Sequence, residues 1–282
     1  MQKEITKDVV VIYHGKCPDG FGGAWAAWKK FKDTAEYIPY YHGEPLSVTF
    51  KGKKVYCVDL IPDEKTINKL IEENISLVVL DHHKTNESKI GLIPECVFDL
   101  SKSGCVIAWE YFHPSEPVPL FLRYLQDRDI WQWQMENSRE ISAFVQSLEF
   151  DFDVWTVAIE GIENIDLSQK YVEYGKLILK YQKILSKDIV EDNRQLVDFE
   201  GHKAWAVNSS VLSDEIGERL YADLPLAIIW QQRSESITVG LRSDRTVDAG
   251  LIARKHGGGG HVGAAGFELP AGSPLPWKVI KE

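Results

Sequence analysis

Over the first hundred residues, short β-branched apolar runs alternate with stretches whose apolar positions recur every three or four residues. "VVVIYH" (9–14), "KKVYCVDL" (53–60), "SLVVLD" (76–81) and "ECVFDL" (95–100) read as strands. "AWAAWKKF" after the first strand, "EKTINKLIEEN" (64–74) and "SGCVIAWEYF" (103–112) read as helices, the first with lysines opposite its apolar side. Near-continuous apolar strands separated by helices predict a parallel sheet covered on both faces. Residues 115–195 are mostly helical and end in an amphipathic stretch, 168–193, that reads as a connecting helix. Shorter strand patterns follow at 202–208, 226–232 and 236–242, then a glycine-rich run and a closing "AAGFEL". The expected fold is therefore α/β: a parallel-sheet domain over 1–195 that includes the connecting helix, and a smaller α/β domain over 196–282.

Composition narrows the class without fixing the function. With 44% hydrophobic and 26% charged residues, the 282-residue chain has the make-up of a soluble globular protein. No apolar run approaches the roughly 20 residues that span a bilayer. The opening "MQKEITKDVVVIYHG" has neither the apolar core nor the cleavage site of a secretory leader. Four dispersed cysteines, Cys17, Cys57, Cys96 and Cys105, form no CxxC pair and fit reduced thiols, so a cytoplasmic setting is expected. A net charge of −10 disfavours long nucleic acid as partner, because such binding rests on basic faces that displace counterions. It leaves open a small anionic substrate held through metal ions.

The chemistry-bearing residues gather where a parallel sheet puts ligands, beyond the carboxyl ends of its strands. His14 ends the first strand and Asp19 lies in the loop after it. Asp59 ends the second strand, and Asp81, His82 and His83 end the third. One such aspartate would ordinarily be a helix cap. Three strand ends delivering carboxylates and imidazoles to one edge point instead to divalent transition metal. Two neighbouring ions need a shared carboxylate and further acids, and "YLQDRDIWQW" offers Asp127 and Asp129, although its spacing alone favours a solvated helix end.

These stretches resemble the motifs of the DHH phosphoesterase superfamily. "LDHHKTN" is similar to the signature that names it, "HGKCPDGFGG" to its first motif, the aspartate of "VYCVDL" to its second and "DRDIW" to its fourth. "GLRSD" followed by "VDAGLIARKHGGGGHVGAAGF" resembles its C-terminal associated domain. The resemblance implies manganese, one or two ions, with Mg²⁺ or another divalent ion as a substitute. It implies His14, Asp19, Asp59, His82 and one of Asp127 and Asp129 as ligands, Asp59 as the bridge, His83 facing substrate phosphate and Asp81 orienting the histidines. The first motif departs from the usual Asp-x-Asp: either Cys17 or Phe21 stands in place of an acid. A Cys17 thiolate would favour a softer ion such as zinc, and the alternative is a small residue in a tight loop.

In the C-terminal part, "KHGGGGHVGAAG" (255–266) reads as either a linker or a backbone cradle for an anion. Gly258, Gly259 and Gly260, with Arg242 and His261 as charged donors, are the expected substrate contacts. The function expected is metal-dependent hydrolysis of short oligonucleotides or small nucleotide diesters to nucleoside monophosphates. The alternatives are a pyrophosphate or polyphosphate hydrolase, and a non-catalytic nucleotide-binding protein with a degenerate first metal position. No membrane partner is expected, and a homodimer is compatible with the reading.

Overall fold

A computed structural model describes residues 5–41, 45, 46 and 48–280. The first four residues, part of the opening stretch read above for a leader, lie outside it. The chain divides into two compact units, 1–178 and 179–282.

In the N-terminal unit five parallel strands, β1 (Val9–His14), β2 (Ala35–Tyr40), β3 (Lys54–Val58), β4 (Ser76–Asp81) and β5 (Glu95–Phe98), line up in the order β2-β1-β3-β4-β5. Alternate residues of each strand enter different cores, as a pleated strand requires. Val11, Val58, Val78 and Leu80 pack under helices α1 (Pro18–Phe31) and α3 (Gly104–Phe112) together with α4 (Leu120–Asp129), α5 (Ser138–Gln146) and α6 (Phe152–Glu163). Val10, Ile12, Val55, Cys57, Leu77 and Val79 pack on the other face with Ile67 and Leu70 of α2 (Glu64–Glu73). Both faces are thus covered, as the apolar strands predict. The strand missing from the sequence reading is β2, "AEYIPY". It is an edge strand, where Pro39 is tolerated because its missing N–H faces away from the ladder.

The order 2-1-3-4-5 reverses direction between β1 and β3, and at such a switch point the loops part to leave a crevice at the carboxyl edge. His14 and Asp59 flank that point, and Asp81 follows on the next strand.

Helix α7 (Ile165–Asn193) runs across the division between the units, so the boundary falls inside the helix and not at residue 196. The physical reason is packing: Val190 is buried with Val207, Ile216, Leu220, Ala227 and Ile229 of the C-terminal unit. That unit is a seven-stranded mixed sheet of order β10-β11-β9-β8-β7-β6-β12, with α8 (Ser213–Tyr221) and α9 (Ala249–Lys255). Its strands are β6 (Gln195–Phe199), β7 (His202–Asn208), β8 (Leu226–Gln232), β9 (Ser236–Ser243), β10 (Gly259–Gly260), β11 (Ala264–Pro270) and β12 (Lys278–Val279). Among the described residues no helix is long and apolar enough to cross a membrane.

Candidate metal centre

The first loop is built to bring Asp19 inward. Pro18 starts α1, and the glycines of "DGFGG" let the helix press against its neighbours. A Cβ at Gly23 would stand 2.3 Å from Val58 Cγ1, and one at Gly22 3.0 Å from Cys105 Cβ. Asp19 therefore meets the N-terminus of α3, where the Gly104 and Cys105 N–H groups donate to its two oxygens at 2.6 and 3.0 Å. Helix-terminal N–H groups have no intrahelical acceptor and suit an anion.

Asp59 leaves β3 with φ +60, a left-handed conformation that asparagine and aspartate adopt more readily than bulkier residues. That turn divides its carboxylate. Oδ2 lies 3.1 Å from His14 Nδ1, and Oδ1 lies 3.2 Å from His82 Nε2. His82 Nε2 is also 3.6 Å from Asp19 Oδ2 and 3.4 Å from Asp129 Oδ2. Among the groups of metal-ligand atoms that result are His14–Cys17–Asp59, Asp19–His82–Asp129 and Asp59–Asp81–His83, each with its ligand atoms within 4.8 Å of one another.

Behind them, His83 Nδ1 lies 2.7 Å from Asp81 Oδ1, and Asn86 Nδ2 donates to Asp81 Oδ2 at 2.9 Å. Asp81, wholly buried, is thus placed to fix His83, whereas His82 faces Asp59. Of the two fourth-motif acids, the structure brings only Asp129 to the cluster. Asp127 accepts the backbone N–H groups of Gln134 and Met135 at 2.9 and 3.2 Å, which anchors the turn after α4. Phe21 is buried with Tyr13, Phe150, Phe152 and Trp155, ring centroids about 5–6 Å away, so it belongs to the aromatic core. Cys17 is the residue at the cluster.

Crowded buried charge perturbs Asp19, Asp129, Asp59, His82, His83 and Cys17. Burial and the neighbouring Asp129 and Asp59 push the Asp19 carboxyl up to about 7. Asp129 is raised by burial and by Asp59, against the pull of His82. For Asp59, burial alone would raise the pKa, but the hydrogen bonds with His14 and His82 outweigh it and hold the carboxyl well below its usual range. Burial opposes charge on the histidines, yet Asp59, Asp129 and Asp19 raise His82 to about 10, and Asp81 and Asp59 raise His83 to about 9. Burial, then Asp59, Asp129 and Asp19, keep the Cys17 thiol well above its ordinary value.

Three carboxylates this close need compensating positive charge, and Asp129 Oδ2 is buried without a hydrogen-bond partner. That orphaned oxygen, and a nitrogen- and oxygen-rich donor set, fit divalent metal.

In the C-terminal unit the glycine run is part of the sheet and not a linker. Gly259 and Gly260 form β10 against Gly266 and Ala265, the Gly258 N–H donates to Ala253 O, and the His261 N–H closes the turn to Ala264 O. Glycine is required there, since a Cβ at Gly258 would lie 2.0 Å from Gly266 O. Arg242 donates through Nε and Nη2 to Asp214 Oδ1, both at 2.8 Å, and through Nη1 to Leu241 O at 2.9 Å.

Sequence reasoning missed Asn86 and the α3 N-terminus. Residues 85 positions apart, Asp19 and Gly104, leave no local signal of their contact.

Residues 199–276 match the DHHA1 domain model. The chain is 33% identical over 284 residues to the uncharacterized protein R106 of Acanthamoeba polyphaga mimivirus, covering 92% of this chain. It is 23% identical over 227 residues to the oligoribonuclease NrnB of Bacillus subtilis, covering 73% of this chain. It spans 66% and 56% of the lengths of these two relatives. Among solved structures it shares its fold with the DHH domain of a protein described as belonging to a family of ribosomal proteins. The TM-score is 0.61, at 13% identity over 94% of this chain and 83% of that one. The pGpG-specific phosphodiesterase PggH of Vibrio cholerae gives a TM-score of 0.52, at 12% identity over 94% of each chain.

Proposed function

Because the chain belongs to the DHH phosphoesterase superfamily, we propose that it is a metal-dependent hydrolase of short oligonucleotides or small nucleotide diesters, releasing nucleoside monophosphates. The observation that carries this reading is the divided carboxylate of Asp59, one oxygen toward His14 and the other toward His82. Asp59 would bridge, with His14 and Cys17 on one side and Asp19, His82 and Asp129 on the other. Manganese, one ion or two, suits the oxygen-rich side, with Mg²⁺ or a similar ion as substitute. Such ions supply Lewis-acid stabilisation of a phosphoryl group and a nucleophile from water at neutral pH.

The chain's own residues do the rest. Asp81, fixed by Asn86, holds the Nδ1 side of His83, so Nε2 is the nitrogen that would donate to a phosphate oxygen. The histidine charge that Asp81 and Asp59 favour suits an anionic substrate. In the C-terminal unit His261 and the Gly258–Gly260 turn would contact substrate phosphate. Arg242, braced by Asp214, would act chiefly by shaping that strand end. The oligoribonuclease likeness and the acidic composition support a short nucleotide substrate in the cytoplasm over long nucleic acid.

Incubation with a dinucleotide and with pyrophosphate in manganese, before and after exhaustive chelation, tests the reading. Dinucleotide cleavage that is lost on chelation and restored by manganese supports it. Preferential pyrophosphate cleavage, or turnover that survives chelation, refutes it.

A further inference from the structure

The two ligand groups differ in kind. Asp19–His82–Asp129 offers two carboxylates and one imidazole, a hard set. His14–Cys17–Asp59 offers one imidazole, one sulfur and one carboxylate oxygen within 4.8 Å of one another. Cys17 is not there as filling for the core. It sits in extended conformation at the residue before α1, half-buried, while the core position of that loop is taken by Phe21.

We propose that the His14–Cys17–Asp59 group is a thiolate metal position that selects a softer divalent ion, zinc or its substitute cobalt, so that the centre holds two unlike ions. This rests on the metal-dependent reading above and adds to it the identity of one ion. Soft thiolate ligands select zinc, whereas carboxylate sites suit manganese and magnesium. On binding, the Cys17 S–H bond breaks and its proton passes to solvent. A sulfur lone pair then forms the S–metal bond, with no change of oxidation state. Cys17 is in this way a specificity-determining residue for metal: with an aspartate in its place, both positions would be hard and interchangeable.

The test uses the full chain, stripped by chelator and reloaded with cobalt. Wild-type protein is expected to show a near-ultraviolet thiolate-to-cobalt charge-transfer band at one cobalt per chain, which zinc, but not manganese, abolishes by competition. Cys17→Ser should lose the band, and its zinc affinity should fall by about 100-fold or more, since loss of even a supporting partner costs about 10–100-fold. Manganese affinity of the other group should be unchanged. Cys17→Asp should bind two manganese ions. Cobalt loading of wild type without the band, or zinc binding by Cys17→Ser at wild-type affinity, overturns the proposal. So does failure to bind any ion, and the wild-type spectrum decides even if both variants misfold. The band present without dinucleotide hydrolysis would refute the function but not the thiolate site. Manganese-supported hydrolysis without the band would do the reverse.

Discussion

Gly104→Ala should disable metal binding while leaving the fold standing. A Cβ on Gly104 would lie 2.6 Å from Asp59 Cβ, 2.8 Å from Asp59 Oδ1 and 2.9 Å from Asp19 Oδ2. To regain ordinary contact those atoms must retreat by about 0.5–0.8 Å. Neither carboxylate can do so freely. Asp59 is held between His14 and His82, and Asp19 is held by the Gly104 and Cys105 N–H groups. Overpacking costs about 1–3 kcal/mol, offset by up to about 1 kcal/mol from alanine's better helix propensity. The metal-free protein should thus lose about 3 kcal/mol or less. Displaced ligands should weaken metal binding by about 10–100-fold, as loss of a supporting partner does. At manganese 100 times the wild-type Kd, ligand stabilisation is about 2.7 kcal/mol, and a 100-fold weaker variant would retain about 0.4 kcal/mol. Denaturant unfolding with chelator and with manganese, beside calorimetric titration, measures both quantities. A folded Gly104→Ala variant with wild-type manganese affinity would refute the idea that the bare α3 N-terminus sets the ligand positions.

The two fourth-motif acids should separate cleanly. Asp129→Asn is expected to lose bound manganese with little change in chelator-treated stability. Asp127→Asn should keep the metal and lose about 1–3 kcal/mol from its weakened backbone anchors, a contrast that metal analysis and denaturant curves resolve. Asp59→Asn, which tolerates the left-handed backbone, should stay folded yet bind no metal pair; elemental analysis showing two ions would end the bridging assignment. For pH, His82 at about 10 in the fold exceeds its unfolded value of about 6.5, so its stabilisation is complete below about 6.5 and lost as pH rises to 10. Asp19, at about 7 against about 3.9 unfolded, likewise binds more protons when folded, so stability falls between those values as pH rises. In chelator, denaturant midpoints should therefore decline from pH 5 to pH 9, less steeply for His82→Asn, and an unchanged slope in that variant would contradict the cluster electrostatics.

Much of the N-terminal unit was legible because its strands carry their own pattern. β1, β3 and β4 are rich in apolar residues; β1 and β4 end on His14 and Asp81, and β3 stops one residue before Asp59. β2 was not, since an edge strand with Pro39 and Glu36 lacks that signature. The choice between Asp127 and Asp129 was hidden for a geometric reason. Both lie in the last turn of α4, and only the turn that follows decides which one faces inward. The glycine run also serves the sheet, which its composition does not announce: a Cβ at Gly258 or Gly260 would meet the backbone of β11. His14, Asp59 and His82 lie near one another because sheet topology brings strand ends together, and Asp19 joins them from the first turn of α1. The bracing by the Gly104 N–H depends on tertiary approach that no spacing rule encodes.

The cluster's members are scattered from His14 to Asp129, on or just beyond the ends of β1, β3 and β4 and on α1 and α4. During synthesis, then, the first would-be ligand must wait for the last. At roughly 5–20 residues per second, about 115 residues of further translation take roughly 6–23 s. Through that interval the His14–Cys17–Asp59 group has all its members from residue 59 onward, while the Asp19–His82–Asp129 group still lacks its last. Ion uptake by ribosome-bound chains of graded length would report the moment at which each group closes.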